Sequence, residues 1–147
     1  MNRRLLFSLF LPVLIAGCTA IPGGNPCAKS VPLTTSNRPI VCVDDRDLAH
    51  LTSSPYEAWA RKNSPVKWYT VTGQGGLAIN FADESCVKQN TVVCSGDGSD
   101  CHAQVKMDAE YQKRCTYSVT LTRNGKRTAE DPVIIVDDGM FDDGQKN

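Results

Sequence analysis

Seven cysteines and two histidines carry most of the chemistry open to this 147-residue chain, and their spacing decides which chemistry that is. Cys18 stands apart, directly behind an apolar run, whereas Cys27, Cys42, Cys86, Cys94, Cys101 and Cys115 are spread over the body. Zinc sites gather their thiolates in short C-x₂₋₄-C knuckles. Seven residues separate Cys86 from Cys94 and six separate Cys94 from Cys101, so neither interval is a knuckle. His50, His102, Cys101 and Met107 supply the ligand types of a blue-copper centre. Cys101 and His102 are adjacent, however, where a copper loop spaces its Cys and His by a few residues. Six body cysteines form an even set, which suits disulfides in an oxidising compartment, and their spacing leaves 15 pairings open. The expectation is three bridges: one local, around the loop 95–100, and one longer, from Cys42 or Cys27 to a later strand.

The other constellations are weaker. Asp97-Gly98-Ser99-Asp100 and the acidic stretch after Val136 bring oxygen donors together, but neither matches the calcium loop D-x-[DN]-x-[DN]-G with its closing Glu. Gly73-x-Gly75-x-x-Ala78 echoes a dinucleotide fingerprint, yet residues 77–81 alternate like a strand where that motif needs a helix N-terminus, so it reads as a turn. No Ser lies in a G-x-S-x-G elbow, and no spacing pairs a nucleophile with His50 or His102. No catalytic residue, metal or cofactor is expected. Trp59, Trp68, Tyr56 and Tyr69 read as core or as an exposed patch for a protein partner.

The amino-terminal residues give an address. Arg3 and Arg4 precede the apolar run 5–15, which has signal-peptide length and is too short to span a bilayer. Ile15-Ala16-Gly17-Cys18 then resembles the lipobox of bacterial lipoproteins. That resemblance implies cleavage before Cys18, a diacylglycerol on its thiol and N-acylation. Three acyl chains, at roughly 0.8 kcal/mol per buried CH₂, anchor a protein firmly. In the lipoproteins of Gram-negative bacteria a residue other than Asp after the cysteine implies export to the outer membrane, and here it is Thr19. The implied location is that membrane, facing the periplasm or the exterior.

These segments divide the chain. Residues 1–17 are the signal peptide, 18–37 the lipidated cysteine and a Pro- and Gly-rich flexible tether, 38–137 the folded body, and 138–147 an acidic flexible tail. Loss of Arg3 and Arg4 from the 16 basic residues leaves 14 against 16 acidic ones, a formal charge of −2. Such a balance argues against a nucleic-acid partner, which favours a basic excess.

Within the body the pattern is of short strands. Ile40-Val41-Cys42-Val43 is β-branched and is ended by Asp44-Asp45-Arg46-Asp47. Residues 66–71 and 77–81 flank the glycines 73–76 and read as a hairpin, with further strands over 91–94 and 103–107. Over 115–122, Cys115, Tyr117, Val119 and Leu121 alternate with Thr and Ser, predicting one buried and one wet face. Asn124-Gly125 is a tight-turn dipeptide, and Pro132-Val133-Ile134-Ile135-Val136 suits a strand buried on both faces. Residues 55–62 stay open between two readings. Ser54-Pro55-Tyr56-Glu57 matches a helix start with a capping box, and the same stretch also fits a strand.

Six to eight strands at intervals of about ten residues suggest a small, mainly β, disulfide-stabilised antiparallel sandwich. Residues 38–137 loosely resemble small bacterial cupredoxin-like or immunoglobulin-like β-sandwich proteins in strand pattern, a resemblance that implies a fold and brings no activity. The expected role is a noncatalytic, lipid-anchored envelope module that binds another envelope protein or a foreign hydrolase or toxin, as an inhibitor or immunity protein would. A structural component of an envelope assembly is the alternative.

Overall fold

A computed structural model of the chain describes residues 24–28 and 38–138. The signal segment, Cys18, most of the tether and all but the first residue of the acidic tail lie outside the described residues. Ten strands succeed one another: β1 Ile40–Asp44, β2 Thr52–Ser54, β3 Glu57–Arg61, β4 Pro65–Thr70, β5 Gly76–Phe81, β6 Thr91–Ser95, β7 His102–Gln104, β8 Arg114–Arg123, β9 Lys126–Glu130 and β10 Val133–Asp137. They form two packed sheets. One has the order β2-β1-β4-β7, the other β3-β10-β8-β5-β6, with β9 also paired to β8.

Six of the eight strand pairings are antiparallel. Each sheet also holds one parallel pair, β1 with β4 and β3 with β10. The sandwich is therefore mixed where an antiparallel one was expected. A parallel pair needs a crossover, and here each is made by strands that enter the sheet from the opposite layer.

The alternation over β8 appears as read: Cys115, Tyr117, Val119 and Leu121 are buried, while Thr116 and Thr122 are exposed. At its end Asn124 (φ 51°) and Gly125 (φ 75°) both adopt left-handed backbone, the pair of conformations a type I′ hairpin turn requires. β9 and β10 then run along the same edge of β8 in one uninterrupted register, since Val119 faces Glu130 and Thr116 faces Val133. Asp131-Pro132 is the short gap between them, where Pro132 still accepts the Tyr117 N–H.

Residues 66–71 and 77–81 are strands but not a hairpin. β4 belongs to the four-stranded sheet and β5 to the six-stranded one, so the turn between them crosses the sandwich. Trp68, Leu77, Ile79 and Phe81 all have to face one core, and a hairpin in a single sheet would leave the second layer without β4. The core centres on an aromatic trio. Trp68 lies edge-on to Tyr117 at 5.5 Å and to Phe81 at 6.1 Å between ring centroids, and Phe81 meets Tyr117 at 5.1 Å. Trp68 Nε1 donates to the Tyr117 hydroxyl at 3.2 Å, so both buried polar atoms are satisfied. Burial pushes the Tyr117 phenol well above its ordinary pKa.

Residues 55–62 resolve as strand. β2 ends at Ser54, a cis peptide joins Ser54 to Pro55, and β3 starts at Glu57 in the other sheet. Ala58 and Ala60 turn into the core beside Ile134 and Val136 while Trp59 turns out, a period of two that overrides the local helix signal.

The six body cysteines form three bridges: Cys27–Cys42, Cys86–Cys115 and Cys94–Cys101. The last closes the loop 95–100 as anticipated. The expected long bridge from Cys27 or Cys42 to a later strand is replaced by a bond between these two, and Cys86–Cys115 is the longest of the three. Cys42 faces outward between the buried Val41 and Val43, so it cannot reach a partner across the core. It meets instead the 3₁₀ turn Pro26–Ala28. There the Asn25 amide donates to the carbonyls of Thr70 at 2.8 Å and Val71 at 3.3 Å. The span read as a flexible tether is thus tied to the sandwich at its Gly24–Ala28 portion.

Loop closure ranks the bridges by separation, 29 residues for Cys86–Cys115 and seven for Cys94–Cys101. Replacing both cysteines by Ala is expected to cost about 3.5 kcal/mol for the first bridge and about 2.4 kcal/mol for the second in the chain-entropy treatment. Urea unfolding of the two double variants checks the order, and the buried positions of Cys86 and Cys115 add a cavity penalty to the first.

Candidate functional site

β10 lies between β3 and β8, and its register determines what covers the outer face of the six-stranded sheet. Ile134 and Val136 point into the core, so Val133, Ile135 and Asp137 point outward. Facing them on β3 are Glu57, Trp59 and Arg61 in parallel register, and on β8 Thr116 lies opposite Val133 and Arg114 opposite Ile135. Val133 and Ile135 are nevertheless buried. Their cover is the Trp59 ring beside Ile135 and the Arg114 guanidinium, which reaches across β10 to pair with the Glu57 carboxylate. Both members of that ion pair are largely exposed, so its role is to fix the position of the cover more than to add stability.

Tyr56, immediately ahead of β3, is the second exposed aromatic of this Tyr56–Trp59 strip of chain. Its hydroxyl donates to the Asp131 carbonyl at 2.7 Å, bracing the ring against the gap between β9 and β10. Tyr56 is 53% exposed and Trp59 47%, a large aromatic area left to solvent. Next to Asp131 a shallow depression of about 230 Å³ opens among Asn80, Thr116, Ser118 and Asp131. That volume is below the range of pockets for drug-sized ligands, and with Phe81, Ala82 and Tyr117 also in its lining the depression is mainly apolar, with polar groups at its margin. Exposed Tyr and Trp are residue types enriched at protein-binding hot spots, because they give large contact area at low entropic cost.

The four aromatics singled out from sequence therefore divide. Trp68 is fully buried, and Tyr69 lies half-buried under the loop 95–100, where Gly98 (φ 83°) passes so close that an added Cβ would sit 2.1 Å from the Tyr69 ring. Tyr56 and Trp59 alone are on the surface.

The metal-type residues are not brought together. Cys101 is oxidised with Cys94, His102 is exposed on β7, Met107 is exposed, and His50 contacts Asp47 at 3.0 Å on an exposed turn. Among the described residues no three His, Cys, Asp or Glu side chains are placed to hold a metal ion. Asp97 caps its own turn by accepting the Ser99 N–H at 2.9 Å, and this bond with the Ser99 hydroxyl holds its carboxyl below the usual range.

One buried charge escaped the sequence reading. Asp45 belongs to a run that reads as a polar strand end, yet it is fully buried and accepts the Thr72 N–H at 2.9 Å and the Thr72 hydroxyl. Arg123 Nη1 pairs with it at 3.1 Å. The signal lay in β8, where the inward positions 115, 117, 119 and 121 extend by the same period to Arg123, a cation that needs an anion inside. Likewise Asp137, expected at the edge of a frayed tail, is the buried last residue of β10, with Arg61 Nε 4.0 Å away. Glu130 turns inward and accepts from the backbone and hydroxyl of Ser53, tying β9 to the opposite sheet.

No protein-family model matches the chain, and no curated protein sequence matches it.

The two tryptophans provide a direct check of this division, since they are the only ones in the chain. A Trp59→Phe variant, which leaves Trp68, is expected to emit at shorter wavelength and resist iodide quenching. Trp68→Phe, which leaves Trp59, is expected to emit at longer wavelength and to be quenched readily.

Proposed function

We propose that this protein is a noncatalytic, lipid-anchored binding module of the Gram-negative outer membrane, and that the Tyr56–Trp59 strip is the surface that engages its protein partner. The observation that carries the binding half is the exposure of two large aromatics, Tyr56 with its hydroxyl bonded to the Asp131 carbonyl and Trp59 in register beside Ile135. Solvent exposure of this much aromatic area is costly in isolation and becomes favourable when a partner covers it. Another envelope protein or a foreign hydrolase or toxin fits such a surface, and inhibition or immunity is the form the reading favours.

The anchor half rests on the lipobox-like Ile15-Ala16-Gly17-Cys18 and on the distance from that cysteine to the first bridge. From Cys18 to Cys27 the chain takes nine Cα steps, at most about 30 Å when extended. The Cys27–Cys42 bridge receives it on the outer face of the four-stranded sheet. Trp59 lies on the outer face of the other sheet, so a domain held by Cys18 would carry its four-stranded sheet toward the lipid and its aromatic strip away from it.

Two measurements test the halves separately. Cys18→Ala is expected to abolish acylation, read by mass spectrometry of the amino-terminal peptide, and to move the protein out of the membrane fraction. Unchanged partitioning would end the anchor reading. For the binding half, a partner recovered with the detergent-extracted chain is expected to be lost with Tyr56→Ala/Trp59→Ala, weakened about a hundredfold for two hot-spot aromatics. A partner retained equally by that variant would place binding elsewhere.

A further inference from the structure

Sheet edges expose unpaired backbone groups, and natural proteins protect them with charge, proline, bulges or short length. Most edges here are protected in this way. β2 and β7 have three residues each, β3 carries Glu57 and Arg61, and β9 carries Lys126, Arg127 and Glu130. β6 has none of these defences. Thr91-Val92-Val93-Cys94-Ser95 is five residues long, uncharged and free of proline, and it terminates the six-stranded sheet. At its centre Val93 is 76% exposed, more than any other large apolar side chain among the described residues.

The hydrogen-bond phase of β6 is readable. Phe81 N–H donates to Asn90 and Gly96 N–H to Gly75, each at 2.8 Å, in the register that pairs β5 with β6. Bonded and non-bonded pairs alternate along an antiparallel ladder. Val92 and Cys94 therefore bond inward to β5, while Thr91, Val93 and Ser95 turn their N–H and C=O groups away from it. Among the described residues the backbone groups of Thr91 and Val93 on that side meet no partner, and Ser95 C=O accepts the Gly98 N–H at 3.1 Å.

We infer that β6 is a self-pairing edge, through which two copies of this chain join their six-stranded sheets antiparallel about a two-fold axis at Val93. In that register Val93 exchanges both bonds with Val93 of the second copy, and Thr91 exchanges both with Ser95 of the second copy at each end. Every outward N–H of the strand then meets an outward C=O, the Ser95 carbonyl taking the Thr91 N–H of the second copy on its second lone pair beside the Gly98 N–H it already accepts. The side chains obey the same symmetry: hydroxyl meets hydroxyl at the two ends and valine meets valine at the centre, a cross-strand arrangement that is favourable in antiparallel pairs. The absence of charge removes the repulsion that self-pairing of a charged strand would bring, and an isologous contact closes after two copies. This inference does not depend on the aromatic strip, which lies toward the opposite edge of the sheet, at β3.

Sedimentation equilibrium of the full chain in detergent tests it. The unmodified protein is expected to show the mass of two chains. Val93→Lys alone and Val93→Glu alone are each expected to weaken association about tenfold or more, because like charges face each other at the axis. An equimolar mixture of the two is expected to recover the dimer. Hydrogen exchange on the unmodified chain reads the same contact without substitution: the Val93 amide should gain protection with concentration, whereas the Val92 amide should be protected throughout. A monomer at every concentration, equal association of the Val93→Lys and unmodified chains, or a Val93 amide that exchanges freely under all conditions would overturn the proposal.

Discussion

The burial of β10 on both faces and along both edges is the constraint from which most of the molecule derives. Each residue from Val133 to Asp137 is buried, so the strand cannot sit at a margin. One edge is met by β8, which the Asn124-Gly125 turn delivers in a single continuous register. The other edge needs a strand from elsewhere, and β3 supplies it in parallel, after the chain leaves the four-stranded sheet at Ser54–Pro55. Residues 55–62 carry a sound local signal for a helix, with Ser54, Pro55 and Glu57 in capping positions. Capping contributes on the order of 1 kcal/mol. Leaving the backbone of a buried strand unpaired would cost about that much or more for each orphaned group, and β10 presents several. Pairing decides, and the helix loses.

The same constraint makes the aromatic strip. Once β3 is a strand beside β10, Ala58 and Ala60 must face inward, where only small side chains leave room for Ile134 and Val136. Trp59 is then obliged to face outward, over Ile135. A tryptophan in this position is half structural, since it covers the outer side of β10, and half available to a partner. The Glu57–Arg114 bridge works with it, spanning the buried strand from its two neighbours. Core burial and the surface exposure of Trp59 are thus two consequences of one register.

What could be read from residues alone was what period and turn chemistry determine. The wet and dry faces of β8, the Asn124-Gly125 turn, the double burial of β10, the mainly β class and the local Cys94–Cys101 bridge all rest on short-range rules. What could not be read were facts of layer assignment. Residues 66–71 and 77–81 are strands, as their residues predict, but not the hairpin, because nothing in a glycine-rich turn says whether the next strand stays in its sheet or crosses to the other. Cys27 found Cys42 for a similar reason: Cys42 points outward, and only the three-dimensional path of the chain before β1 brings Cys27 over it. Asp45 shows the limit most clearly. In a run of four charged residues it looked solvated, and its burial depends on Arg123, 78 positions away, arriving at the same end of the sandwich. The two exposed aromatics, Tyr56 and Trp59, were visible as candidates, but their separation from Trp68 and Tyr69 required knowing which sheet each strand joined.

Placed together, the two surfaces and the tether form a consistent geometry. In an antiparallel pairing of identical strands the two-fold axis stands perpendicular to the sheet, so facing side chains emerge on the same side. Two copies joined through β6 would present both six-stranded outer faces, with both Tyr56–Trp59 strips, in one direction. Both four-stranded sheets, each receiving its tether at Cys27–Cys42, would face the other way. Two lipid anchors could then enter the same membrane without strain on either tether, whereas a pairing with its axis in the plane of the sheet would send them to opposite sides. Under the proposed anchoring, confinement to that membrane would also raise the local concentration at which a short edge has to associate. A five-residue strand offers less contact than a standard interface buries, and tethering is the physical condition under which so small an edge would suffice.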